Sequence, residues 1–263
     1  MDLPFFGHRP GRAHRLILAC LLAALLGGAL CLPPLSARAE AAETDSATVT
    51  PPPAASLSRP DLEPLRTVGT ATVASCLDGD TLTLTSRRTV RLAGIDTPEM
   101  KGRTGKPQYY ARESRNLLRE AARGQTVRLF QAGEKTQDRY GRIVADVQLH
   151  DGRSLSAFML EQGAAYFYPH TDLTPAYQDW LRSLQARAIH ERRGMWAWLL
   201  AQPFALQSYT GNKRSLRFFP ADSREAQSIK PRNRIHFGTL MDAFLAGYAP
   251  ARNASPWPEA DAQ

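Results

Sequence analysis

Three stretches of this sequence place acids, arginines and hydroxyls at spacings that could do hydrolytic chemistry. Asp78-Gly79-Asp80-Thr81 is a turn carrying two carboxylates, and alone it is most simply a turn. Arg91-Leu92-Ala93-Gly94-Ile95-Asp96-Thr97-Pro98-Glu99 sets an arginine, two acids and a threonine where a strand runs into a loop. Asp138-Arg139-Tyr140-Gly141-Arg142 adds a second arginine and a tyrosine at a loop-to-strand boundary. Carboxylates such as Asp80 and Asp96 are hard oxygen ligands, suited to Ca²⁺ or Mg²⁺ rather than zinc. Arg91 and Arg142 could clamp a phosphodiester and offset the charge that builds at phosphorus. Glu99 is a further carboxylate, free to accept a proton from an attacking water. A hard metal site, two arginines and a base are what phosphodiester hydrolysis needs.

The elements that must position these residues read as a small β structure with helices. TVGTATVASC from Thr67 alternates at strand spacing, the Asp78–Asp80 turn follows, and TLTLTS and TVRLAGI are two further strands of a meander. Alternation along them puts Asp80 and Arg91 where neighbouring strands could face one another. Residues 97–107 read as a loop, with Pro98, Gly102, Gly105 and Pro107. A helix is expected over 108–123, with Tyr110, Ser114, Leu117, Leu118 and Ala121 on one stripe and Gly124 ending it. TVRLFQA and RIVADVQL supply the fourth and fifth strands around a polar loop. A short helix around SLSAFMLEQG closes at Gly163. A longer helix starts from the cap Thr174 with Pro175 in its first turn, buries Tyr177, Leu181, Leu184 and Ala188, and stops at Gly194. Trp196 and Trp198 then return to the core. Antiparallel meanders with longer connections close naturally into barrels.

With those motifs in place, Thr67 to Trp196, about half the chain, resembles the staphylococcal nuclease (thermonuclease) family. DGDT, RLxGIDTPE and DRYGR occur in the family's order and at similar spacing, and the RRGMW run fits the close of its domain. The resemblance implies an α+β, mainly β, fold: a five-stranded OB-fold Greek-key barrel with three packed helices. It implies that Asp80 and Asp96 are calcium ligands, that Thr97 adds a backbone carbonyl, and that Glu99 is the general base. Arg91 and Arg142 would grip the phosphate, with Tyr140 near the neighbouring phosphate. The implied reaction is attack of water on the 5′ side of a phosphodiester, leaving 3′-phosphate ends on DNA or RNA. An OB surface suits single strands, through stacking and a basic groove. Two departures stand out. The family's Tyr-Gly-Pro-Glu-Ala run reads Tyr109-Tyr110-Ala111-Arg112-Glu113 here, after a basic loop MKGRTGKPQ. The route from Gly163 to Tyr166 and Tyr168 is shorter, so either tyrosine could meet a base, or both could be core. A binding module that holds nucleic acid without cutting is the alternative, and the five filled charged positions argue against it.

The flanks have a different character. Residues 1–15 carry Arg9, Arg12 and Arg15 against Asp2, an apolar run covers Leu16 to Leu32, and Ala37 and Ala39 form an Ala-x-Ala exit. That is the pattern of a secretory signal over 1–39, cleaved after Ala39. The 17-residue run is shorter than the about 20 residues a membrane span needs, so a retained anchor is disfavoured and no stable membrane span is expected after cleavage. The expected product is a secreted or periplasmic monomer. It keeps 29 Lys and Arg against 24 Asp and Glu, a net +5 that suits a polyanion. Cys20 and Cys31 leave with the signal, so Cys76 has no internal disulfide partner. His150, His170, His190 and His236 are too scattered to pair around zinc. Residues 40–66 read as a flexible tether, 67–199 as the nuclease-like domain, and 200–263 as a Pro-punctuated extension with some order and no assigned role.

Overall fold

In the computed structural model, which describes residues 66–170, 172–252 and 257–258, β1 (Thr67–Cys76) is long enough to serve two partners. Its first half pairs antiparallel with β5 (Thr126–Phe130), its second half with β2 (Thr81–Leu84), and the register slips between Val73 and Ser75. β3 (Thr89–Leu92) follows β2 antiparallel, with Thr81 opposite Arg91, and runs parallel to β6 (Ile143–Gln148). Pairing of β6 with β5 closes a five-stranded barrel in the order β1-β2-β3-β6-β5. This is the OB architecture expected from the sequence. The signal expected over 1–39 lies outside the described residues, as does the tether up to residue 65.

A two-residue strand, β4 (Ile95–Asp96), leaves the barrel and pairs with β7 (Tyr166–Phe167), setting Asp96 opposite Tyr166. The three expected helices are present as α1 (Ala111–Ala122), α2 (Leu155–Glu161) and α3 (Pro175–His190). α1 buries Ala111, Ser114, Leu118 and Ala122, the i, i+3/i+4 face that its pattern prescribes. α3 begins as its sequence indicates, the Thr174 side chain accepting from the Tyr177 amide. α2 is buried along its whole length, including Glu161, which sits between Arg193 at 2.7 Å and Arg187 at 3.1 Å. Gly163 and Gly194 let the end of α2 meet the turn after α3. Both have positive φ, and a Cβ on either would lie within 2.5 Å of a carbonyl oxygen.

The chain beyond α4 (Met195–Leu199) carries more order than the Pro-punctuated extension expected from the sequence. It folds into a four-stranded sheet in the order β10-β8-β9-β11: β8 (Tyr209–Asn212), β9 (Arg217–Pro220), β10 (Arg234–Phe237) and β11 (Ala249–Pro250). α5 (Arg224–Ser228) and α6 (Leu240–Leu245) complete it. The prolines punctuate these elements rather than break them: Pro203 and Pro231 open 3₁₀ turns and Pro250 lies on an edge strand, where a missing amide costs least. A second core forms around Trp196, Tyr209, Phe218, Leu240 and Phe244, and it also takes in Tyr166. Buried Gln185 of α3 joins the two cores, accepting from the Phe167 amide at 2.7 Å and donating to the Phe244 carbonyl at 2.9 Å. Among the described residues, no helix is long and apolar enough to cross a membrane.

Phe244 is fully buried against Tyr166, Trp196, Phe218 and Trp257. Phe244→Ala should cost about 3–5 kcal/mol in equilibrium urea unfolding. A cost below about 1 kcal/mol would show that the extension does not share the domain's stability.

Candidate active site

Asp80 is held in its turn by backbone geometry before its side chain acts. Its carbonyl accepts from the Leu92 amide at 2.8 Å, and its amide donates to Asp78 Oδ1 at 3.1 Å. Gly79 is required here because a Cβ would lie 2.7 Å from Ser114 Cβ and 2.9 Å from Thr97 Cγ2. Asp80 is thereby brought against Arg91 of β3, Nη1 to Oδ2 at 2.8 Å, while Nη2 of the same guanidinium reaches Asp96 Oδ1 at 2.7 Å. The facing inferred from strand alternation is present as a bridge, one arginine spanning two acids. Hydroxyls meet the remaining carboxylate oxygens: Thr81 donates to Asp80 Oδ1 at 2.9 Å and Tyr166 to Asp96 Oδ2 at 3.1 Å. Thr97 adds a contact to Asp80 Oδ2 at 3.3 Å.

Arg142 connects to this cluster through Thr81, its Nη1 donating to Oγ1 at 3.3 Å. It is oriented by Asp138, whose Oδ2 accepts from Nε at 2.7 Å and whose Oδ1 accepts from the Arg142 and Tyr140 amides. A continuous chain of hydrogen bonds thus runs from Arg142 through Thr81, Asp80, Arg91 and Asp96 to Tyr166. Beside it opens a cavity of about 430 Å³, lined among others by Arg91, Arg142, Lys135, Tyr140, Tyr168 and Arg252. Cationic and aromatic side chains around one opening suit a phosphate backbone with its bases.

The electrostatics follow from burial. Asp80 is pushed up from its ordinary value first by burial, which Arg91 opposes, and then by the nearby Asp78 and Asp96. Burial works against the Arg91 guanidinium, but Asp80 and Asp96 together outweigh it and keep it charged. Tyr166 is raised by burial and by Asp96, so it stays a donor. Glu99 is raised by burial and by Asp96, with Arg252 acting in the opposite sense. Cys76 takes no part: burial and then Asp78 push its thiol up to about 11, leaving little thiolate at neutral pH.

These residues suit a hard divalent cation. Two buried carboxylates share one guanidinium, and the destabilising influence of Asp78 and Asp96 on the Asp80 charge is the kind an added cation relieves. Among the described residues, no three His, Cys, Asp or Glu side chains converge as a metal-holding group. An ion would therefore rest on Asp80, Asp96, main-chain oxygen and water, the mixed shell that hard cations accept.

The expected tyrosines separate. Tyr140 is 62% exposed at the cavity mouth, with Arg142 5.5 Å from its ring centre. Tyr168 lines the cavity, the Arg217 guanidinium lying 3.7 Å from its ring centre. Of the two readings left open for Tyr166, substrate contact and core, its burial fits the second: it is 6% exposed, packed on Phe244 and Trp257, and turns its hydroxyl to Asp96. In that position its hydroxyl holds a carboxylate and its ring is taken up by the second core. Glu99 stands beside the cavity, half-exposed, its amide donating to Gln108 Oε1 at 2.7 Å and its carboxylate 3.9 Å from Arg252. Sequence reasoning missed Thr81 as a link and Arg217 and Arg252 as neighbours. The DGDT motif already contained Thr81; the two arginines carry no local signal.

The model of the staphylococcal nuclease homologue family matches residues 89–198, beginning at β3 and ending before the four-stranded sheet. An "uncharacterized endonuclease" of Escherichia coli is 37% identical over 130 residues, covering 48% of this chain and 75% of that protein. A "probable staphylococcal-like nuclease CAN3" of Oryza sativa is 31% identical over 125 residues, 48% of this chain and 29% of that protein. The "SPbeta prophage-derived endonuclease YokF" of Bacillus subtilis is 31% identical over 134 residues, 48% of this chain and 43% of that protein. The chain belongs to the staphylococcal nuclease family.

Tyr166→Phe should cost about 1.5–3 kcal/mol in urea unfolding, since it removes one buried donor to a charged group. Arg91→Ala leaves Asp80 and Asp96 buried without a cation and should cost about 3–5 kcal/mol. Equal costs for the two would contradict the bridging role of Arg91.

Proposed function

We propose that this protein is an exported, calcium-dependent endonuclease that hydrolyses DNA or RNA, with preference for single strands. The observation that carries the nuclease chemistry is the Arg91 bridge between Asp80 and Asp96 beside a cationic cavity. Family membership supports the nuclease class, and the basic, apolar, Ala-x-Ala order of residues 1–39 supports export. Asp80, Asp96 and Thr97 would hold the calcium. When bound, that ion supplies charge stabilisation for the phosphorane-like transition state and a docking point for water.

The chain's own residues do the rest. Arg91 and Arg142 meet the non-bridging phosphate oxygens, Arg142 aimed by Asp138 and steadied at Thr81. Glu99, made more basic by its surroundings than an exposed glutamate, accepts the proton of the attacking water. The water oxygen bonds to phosphorus as the P–O5′ bond breaks, and the departing 5′ oxygen takes a proton from solvent water, leaving a 3′-phosphate and a 5′-hydroxyl. Tyr140 and Tyr168 flank the strand as it lies in the cavity.

Incubating the protein with single-stranded DNA should give cleavage with calcium and none with a chelator, and end-group analysis should find 3′-phosphates. Strand binding without turnover under calcium would instead favour a binding module. Glu99→Gln should slow turnover by about 10²–10⁴ while strand binding survives. Comparable turnover would mean that the base is elsewhere. Arg142→Lys keeps the charge but loses the two-pronged grip, and turnover should fall by roughly a hundredfold. An unchanged rate would remove Arg142 from the phosphate. Mass measurement of the exported form should find Glu40 at its N-terminus, whereas intact residues 1–39 would contradict cleavage.

A further inference from the structure

One residue that lines the cavity, Arg252, comes from beyond the family-matched residues, two positions after the last strand of the C-terminal sheet. β11 runs parallel to β9, with Ala249 opposite Arg217 and Pro250 opposite Phe218, and the Ala251 amide donates to the Phe218 carbonyl at 3.1 Å. The arginine that follows, Arg252, therefore starts from a fixed backbone. On the far side, Trp257 packs 5.4 Å from the Tyr166 ring, and the Pro258 carbonyl accepts from the Tyr109 amide at 2.8 Å. Between these anchors, the Arg252 side chain lines the same cavity as Arg91, Arg142 and Tyr140.

Arg252 differs from Arg91 and Arg142 in having no carboxylate at close range. Arg91 is 12% exposed and bound to two carboxylates at 2.8 and 2.7 Å, and Arg142 is bound through Nε to Asp138 at 2.7 Å. Arg252 is 62% exposed, and the carboxylate nearest it, Glu99, is 3.9 Å away and itself 46% exposed. A long, solvated pair of that kind contributes little and yields readily to a better acceptor. A phosphate oxygen is such an acceptor, since it matches the guanidinium fork. Arg217, whose guanidinium lies against the Tyr168 ring, steadies the neighbouring part of the wall.

We infer that Arg252 is a substrate-binding residue, a guanidinium from the C-terminal extension that leaves Glu99 and grips a phosphate of the bound strand. This rests on the nuclease reading above. It gives the extension a direct role in substrate binding, and it frees Glu99 only when a strand is seated. Glu99 thus has a cationic partner in the empty site and a water to serve in the filled one.

Steady-state cleavage of a single-stranded oligonucleotide by the full chain, with calcium and across a salt series, tests this. Arg252→Ala should raise KM by about tenfold, the loss of one charge-assisted contact, with kcat within about twofold of wild type. The dependence of log KM on log salt should become shallower by about 0.7, the loss of one phosphate contact to a single strand. Arg252→Lys should restore most of the salt dependence but only part of the affinity. Arg224→Ala, an equal loss of charge on α5 away from the cavity lining, should leave KM and slope unchanged. An Arg252→Ala enzyme with the KM and slope of wild type overturns the inference while leaving the nuclease reading intact. A fall in kcat alone also overturns it, since that would make Arg252 a partner of Glu99 and not of the strand. Wild-type protein that does not cut removes the nuclease reading and this inference together, and that is seen before any variant is compared.

Discussion

One guanidinium between two carboxylates is the constraint around which this molecule is arranged. Arg91 leaves β3 with both ends of its fork committed, to Asp80 from the β1–β2 turn and to Asp96 from β4. Removing Arg91 would leave two buried carboxylates without a cation, whereas removing either acid leaves the guanidinium paired with the other. To meet that requirement the chain needs a tight turn with glycine at 79, β2 and β3 in the register that sets Thr81 opposite Arg91, and a short strand that carries Asp96 off the barrel. The hydroxyls of Thr81 and Tyr166 take the remaining oxygens without adding charge. The pair therefore stays short of one positive charge, the condition under which a hard cation and then a phosphodiester can be accepted.

The same constraint explains why the C-terminal sheet belongs to the site. Tyr166 can hold Asp96 only if its ring is fixed, and Phe244 and Trp257 of the extension pack against that ring. Gln185 ties β7 to α6 by a hydrogen bond on each side of its amide. Stability and site geometry are thus shared between the barrel and the later sheet, and Arg252 reaches the cavity because the sheet is docked there.

Much of the barrel was legible because its signals are local. Alternation in β1 to β3, the capped start of α3 at Thr174, and the glycines at 163 and 194 each specify their own surroundings. The charged motifs were legible because the residue types limit the chemistry, and the facing of Asp80 and Arg91 followed from strand alternation, while the second arm of the bridge to Asp96 needed the β4–β7 pairing. Tyr166 was ambiguous from sequence, since a tyrosine near a site can stack on a ligand or hold a carboxylate; burial by residues some eighty to ninety positions later decides which. The extension was the hardest part to read. Its prolines sit at strand edges and at the first turns of helical segments, which only the finished sheet reveals, and β11 is two residues long. Arg252 and Arg217 meet the site through parallel pairing of β11 with β9, a tertiary fact with no trace in the spacing.

The central claim is that Asp80 and Asp96, sharing one arginine, form a cation site that the fold has prepared. Calorimetric titration of calcium into the protein without nucleic acid tests it most directly, because the readout does not depend on cleavage. Wild type should bind one calcium per chain, and Asp96→Asn, with its fold intact by circular dichroism, should lose most of that heat. No saturable binding in wild type, or undiminished binding in Asp96→Asn, would contradict the account.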